Sequence, residues 1–371
     1  MRIKAVETWL TRVPFDIGAP PAAFGGMGWQ ALETLWVRVV TDTGIEGWGE
    51  GFGHACCPAT RAAIDTQIGP AVLGQDARDI RGLARRLAEQ FHLFGRNGPH
   101  LYGLSAIDIA LWDIAGKAAG LPLWRLLGGA PVAMRPAYAS LLRYGDPNLL
   151  ARACERAAAA GYGLVKLHEV TEPAVAAARE ALGPDRKMMV DVNCPWAVDE
   201  AIEMAETFAD HDLHWLEEPV WPPEDREGLA RVRAEGGVRI AAGENAGGLL
   251  DFRSLFEAEA LDFAQPSVAK IGGVTVMADV AALARAFSVP LVPHCAYFGP
   301  GWLASLHVIA AFAPEAPVER LFMDLEASPY GDLVLATRGA VAIPQGPGLG
   351  RDPDSDVLRR YLVGTPLTAS A

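Results

Sequence analysis

The 371-residue sequence lacks the signals that would direct a chain to a membrane, a nucleic acid or an export route. No window approaches the roughly 20 uncharged apolar residues of a membrane span. The net charge is −13 and no run of Lys or Arg interrupts it, which argues against an anionic membrane or a nucleic acid as partner. The N-terminal MRIKAVETWL has no long apolar segment of signal-peptide type, so we expect a cytoplasmic protein.

Several motifs that carry chemistry are also absent. Nothing fits GxxxxGK[ST] or GxSxG, and the Gly-rich GWGEGFG does not fit GxGxxG, so we expect neither a nucleotide loop nor a serine-nucleophile turn. The cysteines are odd in number and lack CxxC-type spacing, which favours reduced thiols over disulfides or a zinc site. They are Cys56, Cys57, Cys154, Cys194 and Cys295.

What the sequence does contain is a two-part pattern of secondary structure. In the first 125 residues, MRIKAVETWL, TLWVRVVTD and GIEGWGEGFG alternate like antiparallel strands, and helical segments follow, which predicts an α+β domain. From about residue 130, short apolar runs alternate with Ala-rich helical runs, which predicts a βα barrel. The predicted barrel strands are RPAYASLL, GLVKLH, MMVDVN, HWLEEP, RIAAGEN, LDFAQPS, LVPHC and VERLFMDLE.

Polar residues close these predicted strands at intervals of 23 to 27 residues. Because the interval recurs with the βα unit, we expect the side chains to meet at the C-terminal mouth of the barrel, where this architecture places its active sites. A ring of strand-end caps is the alternative, but caps would favour Ser, Thr and Asn over three successive carboxylates. The series is Lys166, Asp191, Glu217, Glu244, Ser267 and His294.

The three acids of this series predict a Mg²⁺ site. Asp191, Glu217 and Glu244 supply hard oxygen ligands without clustered Cys or His, which suits Mg²⁺ better than zinc or copper. The alternative is that each carboxylate pairs with an arginine. Lys166 and His168 occupy alternate positions of one strand and so face the same side, while His294 ends another strand. We therefore expect two proton carriers around the metal.

The ordered motifs LVKLH, VDVN, WLEEP, AGEN, AKIGGVT and VPH resemble the mandelate racemase/muconate lactonizing enzyme family of the enolase superfamily. SAIDIALWDIAGKAAGLPLWRLLGG and IPQGPGLG extend the resemblance over essentially the whole chain. It implies a modified (β/α)7β barrel, α/β in class, with an α+β capping domain. We expect residues 1–125 to form the cap, about 340–371 to complete it, and 126–339 to form the barrel.

The resemblance also implies roles for individual residues. Asp191, Glu217 and Glu244 match the family's metal ligands, Lys166 lies near the substrate carboxylate, and His168 and His294 match the general bases on the two faces. Two positions depart from the family: His168 replaces a Lys, and Ser267 replaces the Asp that pairs with the strand-seven His. Since a neutral Ser cannot stabilise an imidazolium as a carboxylate does, we expect His168 to be the base and His294 the acid.

The implied chemistry is Mg²⁺-assisted removal of a proton α to a carboxylate. We favour dehydration of an acid sugar; racemisation or epimerisation, cycloisomerisation, and a turnover-deficient acid-binding protein remain open. The expected ligand is a small carboxylate bound by a homo-oligomer with one Mg²⁺ per subunit. The predicted substrate contacts are Asn193, the cap-loop residues Phe24, Trp29 and His54, and the eighth-strand acids Glu319, Asp324 and Glu326, among which the sequence does not choose.

Overall fold

The computed structural model describes residues 1–20, 22–24 and 27–370; the side chains of residues 22–24 and 27 lie outside this description. The first part of the chain is an antiparallel sheet covered by helices. A 3₁₀ turn, His54–Cys56, and a π-helical stretch, Ile64–Ile68, adjoin the first helix. The strands are β1 (Ile3–Asp16), β2 (Ala22–Phe24), β3 (Met27–Trp29), β4 (Ala31–Thr41) and β5 (Glu46–Gly51), and the helices are α1 (Cys57–Ala63), α2 (Gly69–Val72), α3 (Ile80–Gln90), α4 (Pro99–Ala119) and α5 (Leu123–Leu126).

The second part alternates strands and helices, as the sequence predicts. Short buried strands are typical of a parallel sheet whose outer face is covered by helices. The elements are β6 (Met134–Ser140), α6 (Pro147–Ala159), β7 (Leu164–Leu167), α7 (Glu172–Leu182), β8 (Lys187–Asp191), α8 (Val198–Ala209), β9 (Leu213–Glu217), α9 (Arg226–Glu235), β10 (Ile240–Ala242), α10 (Leu249–Glu257), β11 (Phe263–Ala264), α11 (Gly273–Ala286), α12 (Pro300–Phe312) and β12 (Val318–Leu321).

The parallel strands form a barrel that the strand-seven segment closes. Their hydrogen-bonded order is β11-β10-β9-β8-β7-β6-β12, seven strands in all. The predicted seventh strand, LVPHC, is present as single bridges, Ala264 to Leu291 and Ser267 to His294. It lies beside β12, since the backbone N–H of Cys295 donates to Glu319. The predicted fold class, a barrel with an α+β cap, is confirmed.

After the barrel the chain crosses between the two parts several times. β13 (Asp324–Leu325) pairs with β1 of the cap, β14 (Ala340–Ala342) pairs with β6 of the barrel, and β15 (Leu367–Ser370) returns to β1. A short helix, α13 (Ser355–Arg360), precedes β15. The domain boundaries expected from the sequence stay a prediction, because segments on each side of residue 340 contact both parts.

The structure also bears on two expectations from the sequence, concerning membrane-spanning helices and the cysteines. In the described part of the chain, no helix is long and apolar enough to cross a membrane. All five cysteines are free thiols. Burial raises the pKa of the Cys154 thiol to about 12, so this residue is an inert packing group rather than a nucleophile.

Candidate active site

The register of three parallel strands brings Lys166 against two acids. Asp191 and Glu217 are paired across β8 and β9, and Lys166 lies on the neighbouring strand β7. Its ammonium is 3.1 Å from Asp191 Oδ2 and 3.0 Å from Glu217 Oε1. Burial alone would lower the pKa of Lys166, but the charges of Glu217, Glu319 and Asp191 raise it well above the ordinary value. Lys166 is therefore a buried, permanently charged ammonium.

Asp191, Glu217 and Glu244 form one cluster of carboxylates. A ligand oxygen of each lies within 4.8 Å of the others. Burial raises the pKa of Glu217 well above its ordinary value, and Asp191 and Glu319 raise it further against the opposing charge of Lys166. Three converging carboxylates are the hard donor set that suits a divalent ion such as Mg²⁺. The residues present thus fit the metal that the sequence predicts.

His168 lies beside Asp191 with one ring nitrogen already engaged. Its Nδ1 is 2.5 Å from the carbonyl oxygen of Leu141, and its Nε2 is 3.3 Å from Asp191 Oδ2. A carbonyl oxygen can only accept a hydrogen bond, so Nδ1 must carry a hydrogen. In the neutral ring the lone pair is therefore on Nε2, the atom directed at the acid cluster.

His294 approaches the same cluster from the far side of the acidic strands. Its Nε2 is 3.0 Å from Glu244 Oε2, and its Nδ1 is 3.2 Å from the hydroxyl of Ser267. The Ser267 hydroxyl in turn contacts the phenol oxygen of Tyr297. Burial lowers the pKa of His294, whereas the charges of Glu244 and Glu319 raise it above the ordinary value. Both histidines thus direct Nε2 towards the acids, but different partners hold their Nδ1 atoms.

Of the three eighth-strand acids, Glu319 is the one that reaches the cluster. It is buried on β12, 2.7 Å from Lys166 Nζ, and accepts hydrogen bonds from Ser140 and from the backbone of Cys295. Asp324 and Glu326 follow the end of β12 and are exposed. Asp324 lies on the strand paired with β1, and Glu326 contacts Tyr361 and Arg360. The structure does not bring these two residues to the acids.

The cap contributes a line of rings over the mouth. The His54 ring lies between Trp29 and Phe52, with centroids 5.0 and 5.3 Å away, and Phe52 packs edge-on against Tyr297 at 5.9 Å. Burial, His294 and Lys270 lower the pKa of His54 to about 4. His54 is therefore neutral beside the site. The side chain of Phe24, also predicted to cover the site, lies outside the described residues.

Asn193, Glu218 and Lys270 surround the acids, and the last two were not predicted from the sequence. The Asn193 side chain donates to Asp191 Oδ1 at 2.9 Å and so orients that carboxylate. Glu218, the second acid of WLEEP, accepts from Asn245, and burial raises its pKa to about 7. Lys270 is buried, with its ammonium 3.7 Å from Glu244 Oε1 and 4.8 Å from the Phe52 ring centre. A charged residue inside the apolar, Gly-rich AKIGGVT was the signal for Lys270.

Two domain families match this sequence. Residues 5–128 match the mandelate racemase / muconate lactonizing enzyme N-terminal domain, and residues 149–357 match the enolase C-terminal domain-like family. Together the two matches cover most of the chain. The chain belongs to the mandelate racemase/muconate lactonizing enzyme family of the enolase superfamily, as its motifs predict.

Individual relatives are similar over nearly their whole length. A 3,6-anhydro-alpha-L-galactonate cycloisomerase of Streptomyces coelicolor is 34% identical, covering 98% of this chain and 100% of the relative. A D-galactarolactone cycloisomerase of Agrobacterium fabrum is 33% identical, covering 99% of this chain and 100% of the relative. An arabinonate dehydratase of Saccharolobus solfataricus is 28% identical, covering 91% of this chain and 93% of the relative.

A solved structure agrees as well. The crystal structure of a racemase from Streptomyces coelicolor A3(2) with bound magnesium is 32% identical and superposes with a TM-score of 0.84, covering 97% of this chain and 100% of that one. A relative that shares this fold has thus been solved with magnesium bound.

Proposed function

We propose that this chain is a Mg²⁺-dependent enzyme that removes the proton α to the carboxylate of an acid sugar and expels the oxygen on the β-carbon, as in a dehydration. The observation that carries this proposal is the pair of histidines at the acid cluster, one on Asp191 and one on Glu244. His168 directly follows β7, and His294 lies in the LVPHC segment. The strands β8, β9 and β10, whose ends bear the three acids, lie between them. A substrate between them has a proton carrier on each face.

Asp191, Glu217 and Glu244 would hold one Mg²⁺ per subunit. When bound, the ion draws negative charge from the substrate carboxylate and so makes the α-proton more acidic. Lys166 adds a fixed positive charge that stays buried next to that carboxylate, where low polarity strengthens its attraction. Asn193 keeps Asp191 oriented through its amide. Glu319 holds Lys166 from the opposite side.

The proton movements follow from the two ring nitrogens. His168 Nε2 accepts the α-proton, since its Nδ1–H is held by the Leu141 carbonyl. The electron pair of the broken C–H bond is first held on the substrate carboxylate as an enediolate, and it forms the new C=C bond when the bond from the β-carbon to oxygen breaks. His294 Nε2 supplies a proton to the departing oxygen. The proton held by His168 restores the balance of protons when the product leaves.

Ring opening is a second candidate, and the relatives favour it. The two cycloisomerases are 34% and 33% identical to this chain, and the dehydratase is 28% identical. Elimination of a β-oxygen gives dehydration when that oxygen belongs to a free hydroxyl and ring opening when it belongs to an ether or lactone ring. The same residues serve both reactions, so the substrate decides between them. A homo-oligomer of such subunits stays a prediction.

The test is a screen in D₂O with Mg²⁺, in which linear aldonic and aldaric acids are compared with anhydro-sugar acids and aldarolactones. Proton NMR follows loss of the α-proton signal and appearance of a 3-deoxy product. We expect exchange and product with members of at least one class, and neither with Glu217→Gln. Binding of an acid sugar without exchange or product would contradict an enzyme and favour a turnover-deficient binding protein.

A further inference from the structure

In the described part of the chain, His294 Nδ1 meets a pair of hydroxyl groups and no carboxylate. Ser267 Oγ contacts both His294 Nδ1 and the phenol oxygen of Tyr297. All three side chains are buried. Among the described residues, neither hydroxyl has another recorded hydrogen-bond partner. The direction of the two hydrogen bonds decides whether His294 Nδ1 accepts or donates a hydrogen, and on the other side of the ring the Glu244 carboxylate, 3.0 Å from Nε2, can accept one.

The phenol settles that direction. Burial raises the pKa of Tyr297 well above its ordinary value, and the hydrogen bond with Ser267 lowers it only in part, so the phenol keeps its hydrogen. Its hydrogen can go to Ser267 Oγ alone. The Ser267 hydrogen is then free for His294 Nδ1, which must accept. The reverse arrangement leaves the buried phenol hydrogen without an acceptor, which disfavours it by about tenfold or more.

We propose that Tyr297 is a positioning residue that acts through Ser267 to hold the neutral ring of His294 with its hydrogen on Nε2. The ring then presents a donor to the substrate and has no lone pair there with which to remove a proton. This inference rests on the proposed function for its consequence: with His168 as the sole base, the enzyme takes the α-proton from one face. Racemisation and epimerisation, which need a base on each face, are disfavoured and elimination is favoured.

The hydrogen-bond partner of Nδ1 therefore gives the two histidines different tautomers. The Leu141 carbonyl only accepts, so it forces the hydrogen of His168 onto Nδ1. A hydroxyl can donate or accept, and Tyr297 makes that of Ser267 a donor. Tautomer choice by the partner of the second nitrogen is a general property of histidine sites. Here it assigns a base to one face and a donor to the other.

The direct test is the ¹⁵N NMR spectrum of the imidazoles in the Mg²⁺-loaded, full-length protein labelled at histidine, at a pH alkaline enough for neutral rings. The chain has eight histidines, so His294 is assigned by its loss in His294→Asn. We expect an unprotonated-type shift at Nδ1 and a protonated-type shift at Nε2. A hydrogen on Nδ1 of wild-type His294 overturns the proposal. No substrate is present, so failure of the proposed function does not affect this result.

Tyr297→Phe keeps the ring and removes only the hydroxyl. We expect the His294 Nδ1 signal to move towards the protonated type, because the ratio of the Nε2–H tautomer to the Nδ1–H tautomer falls by about tenfold or more. Tyr102→Phe is the matched control: it also packs edge-on against Phe52, and we expect it to leave the His294 shifts in place. Unchanged His294 shifts in a folded Tyr297→Phe protein contradict the relay.

Ser267→Asp gives a second, independent measurement. A carboxylate can only accept, so the hydrogen of His294 should move to Nδ1 and the lone pair to Nε2. We expect this variant to gain α-proton exchange in D₂O for the substrate epimer that the wild type leaves untouched. Equal exchange of both epimers by the wild type would overturn the one-base assignment. If Tyr297 had only a structural role, Tyr297→Phe would lower all α-proton exchange rates together and leave the preference for one epimer unchanged.

Discussion

At the scale of single residues, the site depends on how each charged group is held. Lys166 is enclosed by Asp191, Glu217 and Glu319 at 2.7 to 3.1 Å, which keeps its ammonium charged at every ordinary pH. A group so fixed cannot serve as a base, but it can balance a substrate carboxylate. Proton transfer is thus left to the histidines, because an imidazole ring has one nitrogen that can accept a proton and one that can donate it.

Separate variants of the two histidines should divide the reaction in two. We expect His168→Asn to lower both α-proton exchange and product formation by about 100-fold or more, the usual contribution of a general base. His294→Asn should lower product formation by a similar factor while exchange remains measurable. NMR of one substrate in D₂O gives both rates.

His211→Asn is the control for these variants, because this half-buried histidine contacts Glu172 away from the acids. It should behave like the wild type. If His294→Asn stops exchange and His168→Asn preserves it, the two roles are reversed and the substrate has the opposite configuration at its α-carbon.

At the scale of elements, the Gly-rich GWGEGFG is a packing surface. Helix α4 lies across β5, and a Cβ on Gly47 or Gly49 would fall 2.1 or 1.9 Å from the carbonyl oxygens of Ala110 and Ala106. Glycine is required because the helix backbone lies directly on the strand. Directly after Gly49, Glu50 accepts a hydrogen bond from the backbone of Gly301 at the start of α12. The same strand therefore joins the cap to the barrel.

Gly49→Ala should destabilise the protein strongly. The new methyl group meets backbone, which cannot move as a flexible side chain would, so we expect a loss of about 3 kcal/mol or more in the free energy of unfolding. Gly163→Ala is the matched control, since nothing lies within 4 Å of its Cβ position; its effect should stay within about 0.5 kcal/mol. Denaturant unfolding compares the two, and equal midpoints would contradict this account of the packing of β5.

At the scale of the whole molecule, negative charge is concentrated where the barrel strands end. Five carboxyl groups meet two ammonium groups there, in a protein whose net charge is already −13. Repulsion among buried carboxylates opposes folding unless a cation offsets it. A bound divalent ion would therefore stabilise the folded chain as well as serve the reaction. The five acids at the strand ends are Asp191, Glu217, Glu218, Glu244 and Glu319, and the two lysines are Lys166 and Lys270.

Mg²⁺ should raise the apparent melting temperature of the wild type. At 100 times the dissociation constant, a ligand that binds only the folded state contributes about 2.7 kcal/mol, which corresponds to a rise of a few degrees. Glu217→Gln should lose most of this rise, and Glu206→Gln, on the exposed face of α8, should keep it. Because Gln also relieves repulsion without metal, the difference with and without Mg²⁺ is the quantity to compare. No rise in the wild type at millimolar Mg²⁺ would contradict the site.

The sequence alone determined the barrel and the cap, and it predicted that the three acids meet. Helical and strand patterns are local, and a polar residue at the end of each predicted strand recurs with the βα unit. Because parallel strands in a barrel end at one mouth, the interval itself predicts that Asp191, Glu217 and Glu244 converge. The motif order added the family, which the domain matches confirm.

Only the tertiary structure decided which eighth-strand acid joins the cluster and what stands behind His294. VERLFMDLE offers acids at 319, 324 and 326, and local pattern does not show where its strand ends. Closure of the barrel sets Glu319 beside Ser140, 179 residues earlier in the chain, and the strand stops at Leu321, so the later acids pass to the surface. The contact of Tyr297 with Ser267 spans 30 residues and two strands. Such contacts follow from the closed shape of the barrel, because the segments that meet in them are far apart in the sequence.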